Sequence, residues 1–149
     1  MPVFKFKLEK LLEIRKQKLE EAQSILAKLK RDYQAEVKLE AKLRSQIFET
    51  KRNIFSKKTI LPSVLFIHQN YLKGLERKLR VCLERQQILS QELTLWRQEV
   101  LKRNKEKKIL EKLKQKQWEL FWYEQRRKEQ KELDDLATLH YQHKMEGSF

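Results

Sequence analysis

The sequence predicts an all-α protein, an antiparallel two-helix coiled-coil hairpin whose second helix extends beyond the first. Two Gly and two Pro in 149 residues are too few for a β-sandwich or barrel, which needs a turn about every 8–12 residues. Charged side chains make up 38% of the chain, and Ala, Glu, Lys, Leu, Arg and Gln dominate, as they do in long helices. The scarcity of Gly also excludes a P-loop or a dinucleotide-binding loop.

The first helix is expected over about residues 4–57. Its apolar residues recur at steps of three, four and seven, which places one stripe, called here the seam, along one side of a helix. The seam comprises Leu8, Leu12, Leu19, Ala22, Leu26, Leu29, Tyr33, Leu39, Leu43, Ile47 and Ile54. Its phase breaks between Tyr33 and Leu39, where Glu36 falls on the seam, so a local stutter or stammer is expected there.

The only strong helix breaker inside the chain is Pro62. Because proline disfavours a helical conformation at the preceding Leu61, a turn is expected over about 58–63 and a second helix over about 64–143. Nine of the eleven seam positions from Leu65 to Val100 are apolar, and the pattern decays afterwards. A hairpin explains the decay, because the second helix has no intramolecular partner beyond about residue 116. All 149 residues are therefore assigned to a single coiled-coil domain.

The net charge of +14 lies mainly in two blocks. Residues 1–60 carry 16 basic and 8 acidic side chains, and residues 101–131 carry 12 and 5. Such a field attracts nucleic acid, anionic lipid or an acidic protein. No apolar run approaches the roughly 20 residues that cross a bilayer, and the N-terminus lacks the apolar core of a secretory signal. We therefore expect a cytoplasmic protein that meets the cell membrane only through partners.

The residues with potential for chemistry do not form an active site. His140 and His143 share a helix face without a third metal ligand nearby. Cys82 falls on the seam, where a buried thiol is inert, and a lone cysteine makes no disulfide. Asp134 and Asp135 are adjacent, so they point to different faces and cannot act as a carboxylate pair. We expect no catalysis, no cofactor, no metal and no small-molecule substrate.

Two features point to binding. An aromatic cluster either packs under the N-terminal Phe4 and Phe6 or docks a partner, since unmatched apolar patches usually mark interfaces. The cluster consists of Trp118, Phe121, Trp122 and Tyr123. The basic run from Lys102 to Lys116 is either a solvated helix face or a surface for an acidic partner. Nucleic acid is the weaker alternative, because the run is not the acid-free basic region of a basic leucine zipper.

Both ends of the chain resemble the flagellar export protein FliJ family. The opening F-K-F-K-L-E-K-L-L-E-I-R-K-Q-K-L-E-E-A-Q (residues 4–23) is similar to the N-terminus of that family. The stretches E-K-L-K-Q-K-Q-W-E (residues 111–119) and E-Q-K-E-L-D-D-L-A-T-L-H-Y (residues 129–141) are similar to its C-terminal signature. His140 stands where family members usually carry a basic residue.

The resemblance implies a non-catalytic stalk. In that family an antiparallel coiled coil sits in the hexameric ring of the flagellum-specific export ATPase, connects it to the cytoplasmic domain of the membrane export gate, and binds empty export chaperones. The residues expected at the ring are Leu8, Leu11, Leu12, Arg15, Lys114, Trp118, Phe121 and Trp122. Those expected at the gate are Leu43, Tyr71 and Leu75, although Gln46 and Thr50 stand where aromatic residues are expected.

Three other assignments remain open from the sequence. The equivalent stalk of a virulence type III secretion system has the same shape. A basic coiled coil that binds nucleic acid would show affinity that collapses with salt. A scaffold or filament subunit would self-associate strongly through its seam, whereas a hairpin satisfies its own seam and is expected to be a monomer or a weak dimer.

Overall fold

The computed structural model describes residues 2–147 and contains two long helices. Helix α1 spans Glu9–Ser56 and helix α2 spans Pro62–Glu146. No strand occurs within residues 2–147. Contacts between the helices pair Glu9 with Lys114 and Glu36 with Gln86, so residue numbers fall along α2 as they rise along α1. The predicted fold class, an antiparallel two-helix hairpin, is confirmed.

Helix α1 begins five residues later than the predicted start near Phe4. Residues 2–6 lie outside any helix, and the Glu9 amide donates to the Phe6 carbonyl at 3.2 Å. Phe6 is buried, and Phe4 packs against the cluster that buries it. In extended chain, side chains two residues apart point to the same side, whereas in a helix they point to nearly opposite sides. The two phenylalanines therefore pack together only if the helix starts after them.

The connection between the helices covers residues 57–61, slightly earlier than the predicted turn. Helix α1 ends at Ser56, whose hydroxyl donates to the Asn53 carbonyl at 3.0 Å. Helix α2 begins at Pro62 itself. Proline suits the first position of a helix because its φ is already helical and its missing N–H would have had no partner there. The far end of α2 reaches Glu146, three residues beyond the expected end at 143.

The chain divides into two compact units. Unit 1 combines the residues up to Gln17 with those from Arg103 onward, and unit 2 spans Lys18–Lys102. Each unit contains a piece of both helices. The assignment of the whole chain to one domain stays a prediction.

In unit 2 the seam forms the core. Its buried members are Leu19, Ala22, Leu43, Thr50, Leu75, Cys82 and Leu93. The expected break in phase near Glu36 is wrong. Alternate steps of three and four continue through Tyr33, Glu36, Glu40 and Leu43, all of which are at least half-buried, while Leu39 is exposed. Glu40 is accommodated on the seam because the Gln86 amide of α2 donates to its carboxylate at 2.9 Å.

In unit 1 a smaller core closes the helix pair. Phe6, Leu12 and Leu110 are buried together. Every residue of α2 from Arg126 to Glu146 is exposed, so α2 continues past the last residue of α1 that packs on it. Within residues 2–147, neither helix has a stretch that is long and apolar enough to span a membrane.

Candidate functional site

The aromatic cluster of unit 1 is built on a single turn of α2. The ring centroids of Phe4 and Phe121 lie 5.6 Å apart. Phe121 in turn meets Trp122 edge-on at 5.4 Å, and Trp122 meets Trp118 at 6.4 Å. These separations fall in the favourable range for aromatic pairs. The N-terminal segment thus fixes Phe121, and Phe121 orients the two tryptophans.

The two tryptophans remain largely open to solvent. Trp118 exposes 45% of its surface and Trp122 exposes 38%, whereas Phe121 is half-buried. Phe121 therefore packs against Phe4, as the first interpretation expects, whereas the tryptophans stay partly exposed. Docking of a partner on them stays a prediction. We call Trp118 and Trp122 the aromatic patch.

Polar contacts between the two helices hold this region in place. Lys114 Nζ lies 2.8 Å from Glu9 Oε2. Arg15 Nη1 donates to the backbone carbonyl of Glu106 at 2.8 Å. Two of the residues expected at the ATPase ring, Arg15 and Lys114, thus also join α1 to α2.

A groove of about 280 Å³ lies beside the aromatic patch. Its lining residues are Leu12, Lys16, Glu111, Lys114, Gln115 and Trp118. Leu12 is buried at the base of the helix pair, while Leu8 and Leu11 are exposed. The structure thus brings Leu12, Lys114 and Trp118 to one groove, with two ammonium groups and one indole at its edge. The groove thus combines Leu12 and Trp118 with the charged groups of Lys16, Lys114 and Glu111, and Lys114 also contacts Glu9.

The three residues expected at the export gate occupy two different environments. Leu43 and Leu75 are buried in one cluster with Cys82, so they support the surface from beneath, and Tyr71 is exposed. Gln46 and Thr50 make a local contact, in which the Thr50 hydroxyl donates to the Gln46 carbonyl at 2.7 Å. Since Thr50 is buried, an aromatic residue there would need a different packing of the helices.

Unit 2 contains a polar layer that sequence reasoning had taken for a break in phase. We use this name for Glu36, Glu40, Cys82 and Gln86. The Cys82 thiol and the Gln86 amide both donate to the Glu36 carbonyl, each at 3.2 Å. The Gln86 amide also donates to Glu40 Oε2 at 2.9 Å. The layer ties the two helices together by hydrogen bonds at one level of an otherwise apolar seam.

Two ionisation equilibria in the layer are shifted. The hydrogen bond from Gln86, followed by that from Arg44, lowers the pKa of the Glu40 carboxyl. Burial, with the neighbouring Glu36, raises the pKa of the Cys82 thiol. The thiolate is the reactive form of cysteine, so the environment of Cys82 makes it a structural hydrogen-bond donor and a poor nucleophile.

The Glu36 carboxylate is poorly satisfied. Its Oε1 lies 3.7 Å from Arg85 Nη1, which is a weak ion pair, and its Oε2 is buried without a hydrogen-bond partner. A buried acceptor left without a donor costs about 1–3 kcal/mol. The seam thus carries a local destabilising element beside its strongest polar contacts.

Sequence reasoning missed two groups of residues in unit 2. Gln86 lay on the predicted seam, and its position opposite Glu36 would have indicated the polar layer once the phase was continued through that glutamate. A second set, Val81, Ile88 and Leu95, is exposed on α2. Their interval of seven residues was the signal.

His140 and His143 lie on the exposed extension of α2. Within residues 2–147, no three His, Cys, Asp or Glu side chains are arranged to hold a metal ion.

One comparison with known proteins identifies a relative. The family model described as flagellar FliJ protein matches residues 4–146, which is nearly the whole chain and includes the aromatic patch and the polar layer. Neither the comparison with curated proteins nor that with solved structures finds a match.

Proposed function

This chain belongs to the flagellar FliJ protein family, and from that premise we propose that it is a non-catalytic stalk of the flagellar protein export machinery. In this role it inserts into the ring of the export ATPase and couples the ring to the membrane export gate. The family places the chain among flagellar export components; the roles of its surfaces are our proposal.

The observation that carries the ring assignment is the partly exposed aromatic patch beside a groove with two lysines. Trp118 and Trp122 present apolar surface, and Lys16 and Lys114 line the groove next to Trp118. Tryptophan is enriched at the energetic centres of interfaces, and ammonium groups attract carboxylates. We propose that acidic, partly apolar loops of the ATPase ring contact this surface, and that the exposed Leu8 and Leu11 take part in the contact.

The gate contact is proposed for unit 2. Tyr71 supplies the exposed side chain, and Leu43 and Leu75 hold the helices beneath it. The chain would reach the cytoplasmic face of the cell membrane through this partner and not by inserting a helix. Export chaperones are further proposed partners, and we propose no small-molecule substrate.

A titration into purified flagellum-type export ATPase tests the ring assignment. We expect hydrolysis to rise and to saturate near one chain per six ATPase subunits at physiological ionic strength. A Trp118→Ala/Trp122→Ala variant should need about tenfold more protein for half-maximal stimulation, since losing interface aromatics commonly costs more than about 1.4 kcal/mol.

The matched control is Leu113→Ala/Leu120→Ala. These exposed residues lie on the same stretch of α2 but on roughly the opposite side from Trp118 and Trp122, because each residue turns a helix by about 100°. The control should stimulate like the unaltered chain. Equal loss in both variants contradicts the assignment of the patch. Absence of stimulation, with tight salt-sensitive binding to DNA or RNA, contradicts the stalk proposal and favours a nucleic-acid-binding coiled coil.

A further inference from the structure

A second apolar stripe runs along α2 in unit 2. Val81, Ile88 and Leu95 recur every seven residues and expose 46%, 57% and 63% of their surface. A seven-residue interval keeps side chains on one helix face, with a drift of only about 20° per repeat. The seam residues Cys82 and Leu89 follow one position later, about 100° around the helix. The stripe is therefore a face of its own, separate from the one that packs on α1.

The charge beside the stripe changes sign along its length. Val81 shares a groove of about 320 Å³ with Arg77, Lys78 and Arg85. Ile88 shares a groove of about 430 Å³ with acidic residues of both helices, Asp32, Glu36 and Glu92, and with Arg85 at its border. Leu95 lines a third groove with one acidic and one basic residue, Glu99 and Lys102. The first part of the stripe is basic, and its middle is mainly acidic.

We propose that this stripe is the interface of an antiparallel homodimer whose two-fold axis passes by Ile88. Arg85 lies three residues before Ile88 and Glu92 lies four residues after it, so Arg85 of one copy faces Glu92 of the other. A two-fold axis repeats this pair.

The apolar side chains fit the same arrangement. Val81 of one copy lies opposite Leu95 of the other, and the two Ile88 side chains meet at the axis. A parallel pair would instead set Arg85 against Arg85 and Glu92 against Glu92, and like charges brought together at an interface cost several kcal/mol. The charge pattern therefore selects the second copy in one orientation.

The dimer is weak and reversible. Each copy contributes only three exposed aliphatic side chains to the apolar part of the contact. A standard interface involves roughly 20–30 residues a side, so this one is small. Its ion pairs lie at the solvated edge, where salt screens them. Association is therefore expected to depend on protein concentration and to weaken as ionic strength rises.

Sedimentation equilibrium of the full chain over a concentration series tests the proposal. We expect a monomer–dimer equilibrium, with at least a tenfold larger dissociation constant for Ile88→Gln. The matched control is Leu101→Gln, since Leu101 is 61% exposed but lies on a different face of α2, and its dissociation constant should be unchanged. A chain that stays monomeric at every concentration overturns the proposal. If such a monomeric chain binds an export-gate fragment or a nucleic acid, and Ile88→Gln abolishes that binding, the stripe is the binding site for that partner and not for a second copy.

Disulfide trapping tests the orientation. In a Cys82→Ser background, which keeps a hydrogen-bond donor toward Glu36, an Ile88→Cys chain should form a cross-linked dimer on oxidation. A Leu95→Cys chain should not cross-link with itself but should cross-link with a Val81→Cys chain. Cross-linking of Leu95→Cys and of Val81→Cys each with itself means a parallel pair and overturns the proposal. Absence of cross-linking in every combination also overturns it.

Discussion

Both units pair α1 with α2, but the side chains that fill the seam differ between them. In unit 2 the seam is closed by buried aliphatic residues such as Leu43 and Leu75 around one polar layer. In unit 1 the seam ends in aromatic rings, and α2 then continues without packing on α1. Unit 2 thus has the more extensive core, whereas unit 1 has a small core and leaves its two tryptophans partly exposed.

The largest expected effects come from buried leucines, which test whether the two units are separately stabilised. Leu75→Ala in unit 2 and Leu12→Ala in unit 1 each delete a buried side chain, and each should cost about 2–5 kcal/mol of local stability. Hydrogen exchange should show lost amide protection mainly in the unit that carries the substitution.

Leu101→Ala, at an exposed leucine of unit 2 outside the stripe, is the control and should change stability by no more than about 0.5 kcal/mol. If Leu12→Ala removes protection from unit 2 as strongly as from unit 1, the hairpin unfolds as one cooperative body. The two units would then not be separately stabilised.

A gain in stability is expected at the polar layer. Glu36→Leu removes the buried Oε2 that lacks a partner and gives up only a 3.7 Å contact with Arg85. The backbone carbonyl that Cys82 and Gln86 use remains. Urea unfolding should show an increase of about 1–2 kcal/mol, because apolar replacement of an imperfect buried charge is often stabilising.

Glu49→Leu is the control for Glu36→Leu, because Glu49 is an exposed glutamate of the same helix, and its change should stay within about 0.5 kcal/mol. A loss of stability in Glu36→Leu would mean that the carboxylate is well satisfied in solution. Unit 2 would then owe its cohesion partly to this charge.

Most of the fold follows from sequence patterns whose physics is local. The three-and-four spacing of the leucines and the single Pro62 indicate two helices and one connection, and both are found. The start of α1 could not be predicted from these patterns. Phe4 and Phe6 lie before the helix and pack against residues of α2, which is a tertiary effect. The phase near Glu36 was misread because a glutamate at a seam position is not expected from sequence alone, whereas in the structure the facing Gln86 donates to the Glu40 carboxylate.

The candidate surfaces were predicted in part. The sequence indicated that the aromatic cluster either packs under the N-terminal segment or forms a binding surface. Its division into a packed Phe121 and partly exposed tryptophans depends on where the N-terminal segment lies. Leu12, Leu43 and Leu75 are apolar residues at seam spacing, and sequence spacing alone does not separate a core leucine from an interface leucine. The structure separates them by burial.

Smaller effects are expected from the ion pairs. Lys114 and Glu9 join α1 to α2 at 2.8 Å, whereas Arg44 and Glu40 are four residues apart on one helix. Lys114→Met should cost up to about 1 kcal/mol of unit 1 stability and Arg44→Met about 0.3–0.5 kcal/mol of unit 2 stability. Both differences should shrink in 1 M salt, where the screening length falls to about 3 Å. Salt-independent losses would point to packing of the side-chain stems.

The smallest effect is a pH dependence confined to unit 2, and it tests whether the polar layer acts through hydrogen bonding to a charged group. The pKa of Glu40 is lowered from about 4.5 in the folded chain, chiefly by the Gln86 amide. As pH falls, the unfolded chain therefore binds its proton first. The stabilisation is present above about pH 4.5 and is lost as pH falls through the lower pKa of the folded state.

Gln86→Leu removes the main cause of the shift. The free energies of unfolding in urea at pH 6 and at pH 3.5 should therefore differ less for this variant than for the unaltered chain. The exposed neighbour Gln87 offers the matched control Gln87→Leu, which should keep the full difference. Equal pH dependence in all three chains would mean that water replaces the Gln86–Glu40 hydrogen bond in solution, so that this bond does not stabilise the folded chain. The cohesion of unit 2 would then rest on its leucines alone.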